Sequence, residues 1–183
     1  MSTLEATFAR LYDANREDIY YYILKSIRDE DTALDILQDS YTNFFRIFQE
    51  RPLPPDDIQC RMYLFRIARN LMINFGKSGH RSRVDLVENY ENVEYRQQGR
   101  STSDPESEAI DRMEAEARED LLRSMMAAMP EDQRTALLLR YDSDMKLEEI
   151  AEVLNVSVST ASRLLQKARD ALIRADQERH KKN

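Results

Sequence analysis

Two stretches of the chain repeat their apolar residues with the period of an α-helix, and a polar acidic segment separates them. Because the chain has only 3 Gly and 5 Pro in 183 residues, it has too few turn formers for a sandwich or barrel of short strands. The pattern predicts an all-α protein. The helix-periodic runs are Leu4–Ile27, Leu34–Phe48, Leu64–Phe75, Leu121–Met129 and Ala136–Leu172.

The segment Val84–Pro105 interrupts this periodicity with polar and acidic residues and a Ser/Thr cluster. Such a segment buries too little apolar surface to offset its ordering entropy, so we expect it to be mobile. The sequence therefore predicts two small helical domains, at residues 1–83 and 113–183, joined by a flexible acidic linker over residues 84–112.

The net charge of −7 is concentrated in the middle of the chain. Residues 84–120 carry 12 acidic and 4 basic side chains, whereas residues 1–83 are neutral and residues 121–183 carry +1. From Ile58 to Val84 no acidic residue occurs. Because local basic faces decide where a polyanion docks, the overall acidity does not exclude a nucleic-acid partner.

Several classes of protein and site are not expected. Cys60 is the sole cysteine and the two histidines, His80 and His180, are far apart, which excludes a disulfide within the chain and disfavours a metal site. No apolar run reaches the roughly 18 residues of a membrane span, and the first residues do not read as a secretory leader. We find no phosphate-binding loop and no nucleophile with a base, and so expect a cytoplasmic protein without enzymatic activity, cofactor, metal or small-molecule substrate.

The most informative stretch is Lys146–Arg169, which has the pattern of a helix-turn-helix. A short apolar-faced helix is followed by Asn155, a residue that tolerates the left-handed turn conformation, and either Ser157 or Ser159 could cap the next helix. The outer face of that helix carries side chains able to contact bases or phosphates, which predicts DNA binding; the alternative is an ordinary helical hairpin. These side chains are Ser159, Thr160, Ser162, Arg163, Gln166 and Lys167.

Two other faces are candidates for binding. Arg61, Arg66 and Arg69 alternate with aromatic residues, a combination that suits nucleic acid, including unpaired bases, although a solvated helix surface has the same pattern. Asp35, Gln38 and Asp39 share a polar face that could meet a basic partner or only solvent.

Three motifs resemble those of bacterial RNA polymerase sigma factors of the extracytoplasmic-function type, within the sigma-70 family. Tyr63–Leu71 is similar to the family signature Trp-Leu-x-Arg-Ile-Ala-Arg-Asn, and Asp35–Tyr41 is similar to its region 2 polymerase-binding run. Leu147–Thr160, preceded by Met129-Pro130 and Arg140, resembles region 4. The chain departs from the family at Tyr63, where Trp is common, at Asn74 (often Asp) and at Lys146 (usually Ser or Thr).

The resemblance implies a transcription initiation factor that binds core RNA polymerase and directs it to promoters. Its partners would be core polymerase and promoter DNA, with an anti-sigma factor as a further partner that the family allows. The implied polymerase-binding residues are Asp35, Gln38, Asp39 and Arg46. The implied −10 residues are Arg61, Arg66, Arg69, Asn70, Asn74, Lys77 and Arg81, and the implied −35 residues are Arg140, Ser157, Ser159, Thr160, Ser162, Arg163, Gln166 and Lys167.

Two other functions fit the residues less well. One is a stand-alone helix-turn-helix regulator that does not bind polymerase, and the other is a helical interaction protein without a DNA role. Copurification with core polymerase distinguishes the first alternative from a sigma factor, and salt-dependent DNA binding by residues 121–183 distinguishes the second.

Overall fold

A computed structural model describes residues 3–77, 121–122 and 124–181, and within these ranges the regular elements are α-helices. The expected all-α fold is confirmed. The N-terminal half, residues 3–77, contains α1 (Thr3–Ile27), α2 (Glu30–Gln49) and α3 (Asp57–Lys77). The C-terminal half, residues 121–181, contains α4 (Glu131–Tyr141), α5 (Leu147–Leu154) and α6 (Val158–His180), preceded by helical residues at 121–122 and 124–128.

Some of the expectations fall outside the described residues. These are the linker at 84–112, Arg81, and the side chain of Lys77. No helix in the described part of the chain is both long enough and apolar enough to cross a membrane.

Local signals in the sequence set the ends of the N-terminal helices. Arg28 has a left-handed φ of 65° and its backbone N–H donates to the Leu24 carbonyl (2.7 Å), which closes α1. The Asp29 carboxylate then accepts from the Thr32 N–H (2.8 Å) and caps α2. This hydrogen bonding lowers the pKa of Asp29. After the proline-rich segment 51–55, Asp56 accepts from the Gln59 N–H (2.8 Å) at the start of α3.

The three N-terminal helices bury an aromatic-rich core. The Tyr22 and Phe65 rings join α1 to α3 with centroids 5.4 Å apart, and Phe48 contacts Tyr63 at 5.2 Å between α2 and α3. One expected core residue is wrong: Leu34 is 52% exposed. It lies about 100° around α2 from the buried Ala33, at the margin of the buried face. The helical spacing assigned it to the core, although no helix in the described part of the chain covers it fully.

The two halves are in contact. Helix α3 packs on α5, and α1 packs on α4. Buried side chains from both halves, among them Leu64 and Phe65 of α3 and Leu139 and Ile150 of the C-terminal half, belong to one hydrophobic cluster. The described helices therefore share a core across a junction that the sequence did not predict.

Candidate nucleic-acid interface

The helix-turn-helix is formed by α5 and α6, as expected. Asn155 adopts the left-handed conformation (φ 56°, ψ 49°), which confirms its predicted place in the turn. The next residue, Val156, donates its N–H to the Ala151 carbonyl (3.0 Å) and packs against the core. Ala151 and Ala161 are both buried, and their small side chains allow the two helices to approach closely.

Polar contacts fix the beginnings of both helices. At α5, where the family usually has a capping hydroxyl, the Lys146 N–H instead donates to Glu149 Oε2 (2.6 Å). At α6, the Ser157 hydroxyl oxygen accepts from the Thr160 N–H (3.2 Å), so Ser157 is the capping residue of the two that the sequence allowed. The hydroxyl of Ser159 lies 3.0 Å from the hydroxyl of Ser157.

The outer face of α6 is open to solvent. Arg163 donates to the Thr160 hydroxyl oxygen (3.2 Å), which itself accepts from the Ser157 hydroxyl (2.9 Å), so the first turn of α6 orients the guanidinium. Thr160 is half-buried, and the other members of the predicted face are exposed: Ser157, Ser159, Ser162, Arg163, Gln166 and Lys167. The arrangement offers hydroxyl, amide and cationic donors along one helix face, as binding in a DNA groove requires.

Arg140 lies apart from this face. It is half-buried and donates to the Met145 carbonyl (2.8 Å), holding the loop between α4 and α5. A pair that the sequence reasoning did not single out lies nearby: Arg169 Nε donates to the Tyr141 hydroxyl (2.5 Å) and the guanidinium stacks over the ring at 5.5 Å. Because the two residues are far apart in the chain, no local pattern in the sequence predicted this contact.

The three arginines of α3 lie at the junction between the halves. Arg66 pairs with Glu152 of α5 (2.7 Å to Oε2) and also donates to the Glu152 carbonyl. Arg69 pairs with Asp132 of α4 (2.5 Å), and only 15% of its side chain is exposed.

Arg61 bridges both halves, because it donates to Asp18 of α1 (2.9 Å) and to the Ser143 carbonyl (2.7 Å). The described −10 candidates that remain fully exposed are Asn70 and Asn74.

Burial at this junction changes the chemistry of one side chain. Tyr22 is 1% exposed, beside Thr135 and Arg69, and desolvation raises the pKa of its phenol to about 12. Its hydroxyl lacks the geometry of a full hydrogen bond, and the Nε of Arg69 is likewise buried without a partner among the described residues. The junction therefore joins the halves through ion pairs while leaving polar atoms unsatisfied.

The polymerase-binding candidates occupy one exposed surface of α2. Asp35, Gln38, Asp39 and Arg46 are all exposed. Leu34 lies beside Asp35 and Gln38 and is also exposed, which places an apolar side chain within a polar surface. The sequence reasoning missed Leu34 because its spacing matched the core.

No constellation for catalysis or metal binding was expected. Within the described part of the chain, no group of three or more His, Cys, Asp or Glu side chains is arranged to hold a metal ion. Cys60 is 1% exposed, and desolvation, with the nearby Asp57 and Asp56 charges, raises the pKa of its thiol. A thiol held protonated in this way is a poor nucleophile.

Comparisons with known proteins identify a matching family model and similar sequences. Residues 119–172 match the family described as sigma-70, region 4, a span that contains α4, α5 and most of α6. The chain is 22% identical over 166 residues to the ECF RNA polymerase sigma factor SigM of Bacillus subtilis, covering 91% of this chain and 93% of SigM. It is 29% identical over 155 residues to the RNA polymerase sigma-H factor of Pseudomonas aeruginosa, covering 84% of this chain and 77% of that protein.

Two solved complexes contain a chain with a similar fold. RpoE of Bartonella quintana, bound to the anti-sigma factor NepR, aligns with a TM-score of 0.65 and 17% identity, covering 93% of this chain and 96% of that chain. CnrH, bound to the cytosolic domain of CnrY, aligns with a TM-score of 0.62 and 18% identity, covering 93% of this chain and 88% of that chain. The chain is thus similar over 84–91% of its length to RNA polymerase sigma factors, one of them named as an ECF sigma factor, and residues 119–172 match sigma-70 region 4.

Proposed function

We propose that this protein binds core RNA polymerase and directs it to specific promoters, with the C-terminal half reading the −35 element and the N-terminal half recognising and opening the −10 element. It catalyses no reaction itself in this role; the polymerase supplies the chemistry.

The exposed face of α6 is the observation that carries the proposal. Its first turns present Arg163, Gln166 and Lys167 to solvent on a helix whose preceding turn is fixed by Asn155. A recognition helix places such side chains against base edges. Arg is well suited to this position because its guanidinium can form a bidentate pair of hydrogen bonds with guanine. Because Thr160 orients Arg163, the guanidinium loses less conformational freedom when it binds.

The exposed surface of α2 is the proposed contact with polymerase. Asp35 and Asp39 supply charge to a basic partner, and Gln38 supplies hydrogen bonds. Leu34 adds apolar area at the N-terminal edge of these polar groups, and its side chain is 52% exposed. We include Leu34 with Asp35, Gln38, Asp39 and Arg46 in this surface.

The −10 surface is proposed on α3. Arg61, Arg66 and Arg69 would contact the backbone of the opened strand, and Asn70 and Asn74 would lie beside it. Tyr63 packs on Phe48 and lies under the Arg66 guanidinium (5.7 Å), which holds an aromatic ring at this surface.

We also propose an anti-sigma factor as a partner. The support is that one solved protein of similar fold, the sigma factor RpoE, is bound to the anti-sigma factor NepR.

Reconstitution with core polymerase tests the proposal. The chain should form a holoenzyme that initiates at a subset of promoters, and the double variant Asp35→Arg, Asp39→Arg should lose polymerase binding by at least about 2 kcal/mol because it reverses two charges in one interface. The matched control is Asp13→Arg, Glu17→Arg, which reverses two exposed charges one turn apart on α1.

Normal polymerase binding by the folded α2 variant would contradict the proposed docking surface. Sequence-specific DNA binding without any binding to core polymerase would favour a stand-alone regulator instead. Absence of DNA binding at every salt concentration would contradict the role of α6.

A further inference from the structure

We infer that Arg169 of α6 and Tyr141 of α4 together form a phosphate-binding site that holds one backbone phosphate of the DNA beside the −35 element. The inference rests on the proposed contact of α6 with that element and deepens it, because neither residue is among those proposed to contact the DNA. A contact with a phosphate carries no sequence information, but it fixes the position and orientation of a recognition helix on the duplex.

The pair brings together hydrogen-bond donors from two helices. Arg169 Nε donates to the Tyr141 hydroxyl oxygen at 2.5 Å, and the guanidinium carbon lies 5.5 Å from the centroid of the Tyr141 ring. Because the phenol oxygen accepts from Arg169, its own hydrogen is left to donate to another group. The two Nη nitrogens of Arg169 have no acceptor among the residues that the structure describes. The pair therefore offers one O–H and two Nη groups to a ligand that only accepts hydrogen bonds, as a phosphodiester does.

The exposure and the charges around the pair suit an anion. Tyr141 is 55% exposed, and Arg169 is exposed as well and forms no ion pair within the described ranges. Asp142, which follows Tyr141, pairs with Lys25 of α1 at 2.6 Å, so its charge is compensated. Asp170 follows Arg169, but it lies about 100° around α6 from it. A phosphate can therefore approach the pair without displacing a carboxylate from it.

The pair is not needed to hold α4 against α6. These helices already share a buried cluster, in which Leu137 of α4 lies with Ala168 of α6. A hydrogen bond between two exposed side chains adds little to the stability that such burial provides. Loss of the pair should consequently leave the fold intact, which allows its role in binding to be measured separately.

The place of Arg169 on α6 puts it next to residues of the predicted DNA face. Ser162, Gln166 and Arg169 are spaced by four and three positions, so they form one row along the exposed surface of α6. Arg169 lies about 20° around the helix and about 10 Å along it from Ser162. A recognition helix meets base edges with its N-terminal residues, so the row reaches Arg169 where the helix leaves the bases and passes the phosphates.

Neutralising one phosphate at a time tests the inference. The full-length protein is assembled with core polymerase and bound to a promoter fragment at which it initiates, with single phosphates replaced by uncharged methylphosphonates. For the parent we expect the affinity to fall about three- to tenfold at a phosphate that borders the −35 element. For Arg169→Gln the same replacement should have no further effect, because the contact is already absent. All other sensitive phosphates should respond as they do with the parent.

Salt dependence gives a second measurement on the same complexes. Arg169→Gln should weaken promoter binding about three- to tenfold at about 0.1 M salt and reduce the salt slope by about one. Arg169→Lys keeps the charge and should therefore keep the slope, although it loses the planar set of donors. Tyr141→Phe keeps the ring and the charge of the pair, and should weaken binding about two- to fivefold at an unchanged slope because one hydrogen bond is lost.

The matched control is Arg174→Gln. It removes the same charge from an exposed residue of α6 that lies more than one turn beyond Arg169. It should leave the response to every methylphosphonate as it is in the parent. The urea midpoint and the affinity for core polymerase should be the same in the parent and in all four variants, since none of them alters the buried cluster.

The outcomes separate this inference from the proposed function. If no phosphate loses its effect in Arg169→Gln, or if Arg174→Gln abolishes the same effect, the pair is not a phosphate site, while recognition of the −35 element by α6 stands. Weaker binding of core polymerase by Arg169→Gln at an unchanged salt slope overturns the inference and assigns the pair to a protein contact. A lower urea midpoint without any change at a phosphate assigns it to folding. If the parent neither binds polymerase nor initiates, the proposed function itself fails.

Discussion

The arginines of α3 and of α6 were both candidates for DNA contacts in the sequence, yet the structure uses them differently. Arg163 on α6 is exposed and donates to the Thr160 hydroxyl on its own helix. Arg66 and Arg69 on α3 contact acidic residues more than 60 positions away in the chain. The difference teaches that a basic helix face is available to DNA only if no acidic surface of the same protein reaches it first.

The two sets also differ in what their removal should affect. Loss of Arg163 should remove the proposed contact with DNA, whereas loss of Arg66 or Arg69 removes the guanidinium that pairs with a carboxylate at the junction. These ion pairs are partly exposed, so each contributes modestly to folding. Substitution of Arg163 on α6 should therefore change DNA binding without changing stability. Substitution of Arg66 or Arg69 on α3 should change both.

The largest expected effect is a loss of stability from a substitution in the core beneath α3, which leaves every arginine of α3 in place. Leu64→Ala should lower the free energy of unfolding by about 2–5 kcal/mol, because Leu64 is fully buried and its removal leaves a cavity. Urea denaturation measures the loss, and hydrogen exchange should accelerate in α5 as well, since both halves share one cluster. Leu34→Ala on the exposed side of α2 is the matched control and should cost under about 1 kcal/mol. Unchanged exchange in α5 would show that the halves are not coupled.

An alkaline titration of stability should show how the buried Tyr22 phenol contributes at the junction between the halves. Because burial raises the pKa of Tyr22 from 10.0 to about 12, its contribution to stability is complete below pH 10 and is lost as the pH rises towards 12. The free energy of unfolding should fall by about 2–3 kcal/mol as Tyr22 ionises. In Tyr22→Phe most of this alkaline loss should be absent, while the stability at pH 7 should be nearly the same as that of the parent.

The comparison variant for this titration is Tyr41→Phe, because burial raises the pKa of the Tyr41 phenol as well. Tyr41 lies between α1 and α2, and its hydroxyl donates to the Leu11 carbonyl at 3.3 Å. Its replacement should therefore cost about 0.5–1.5 kcal/mol at neutral pH. Circular dichroism measured against pH follows the unfolding of both variants. If Tyr22→Phe unfolds at the same alkaline pH as the parent, ionisation of the Tyr22 phenol is not what destabilises the protein.

The smallest of these effects should be found on α6 and concerns binding alone. Arg163→Ala should weaken binding to duplex promoter DNA by about 1–3 kcal/mol if the guanidinium contacts guanine, and specificity should relax at one base pair. If it contacts phosphate, affinity should fall evenly across sequences and the salt slope should decrease by about one. The urea midpoint should not move in either case. An unchanged affinity and salt slope would mean that a different face of α6 meets the DNA.

The sequence predicted the local features of this protein well. Helix periodicity, the turn at Asn155 and the exposed face of α6 all depend on residues within about two helical turns of one another, so their spacing contains the information. The cap at Ser157 was one of two possibilities that local chemistry allowed, and the hydrogen bond from Thr160 distinguishes them. The Asp35, Gln38 and Asp39 surface was placed correctly on α2, although its contact with polymerase remains a prediction.

The tertiary structure decided which of these surfaces are free. Leu34 has the spacing of a core residue, but burial requires a neighbouring helix, and the helices that the structure describes leave its side chain 52% exposed. Arg140 belongs by position to the −35 set, but its guanidinium holds the Met145 carbonyl instead. Arg66 and Arg69 meet Glu152 and Asp132 only because α3 packs beside α5 and α4. Contacts between residues this far apart depend on how whole helices pack, and neither periodicity nor capping patterns encode that arrangement.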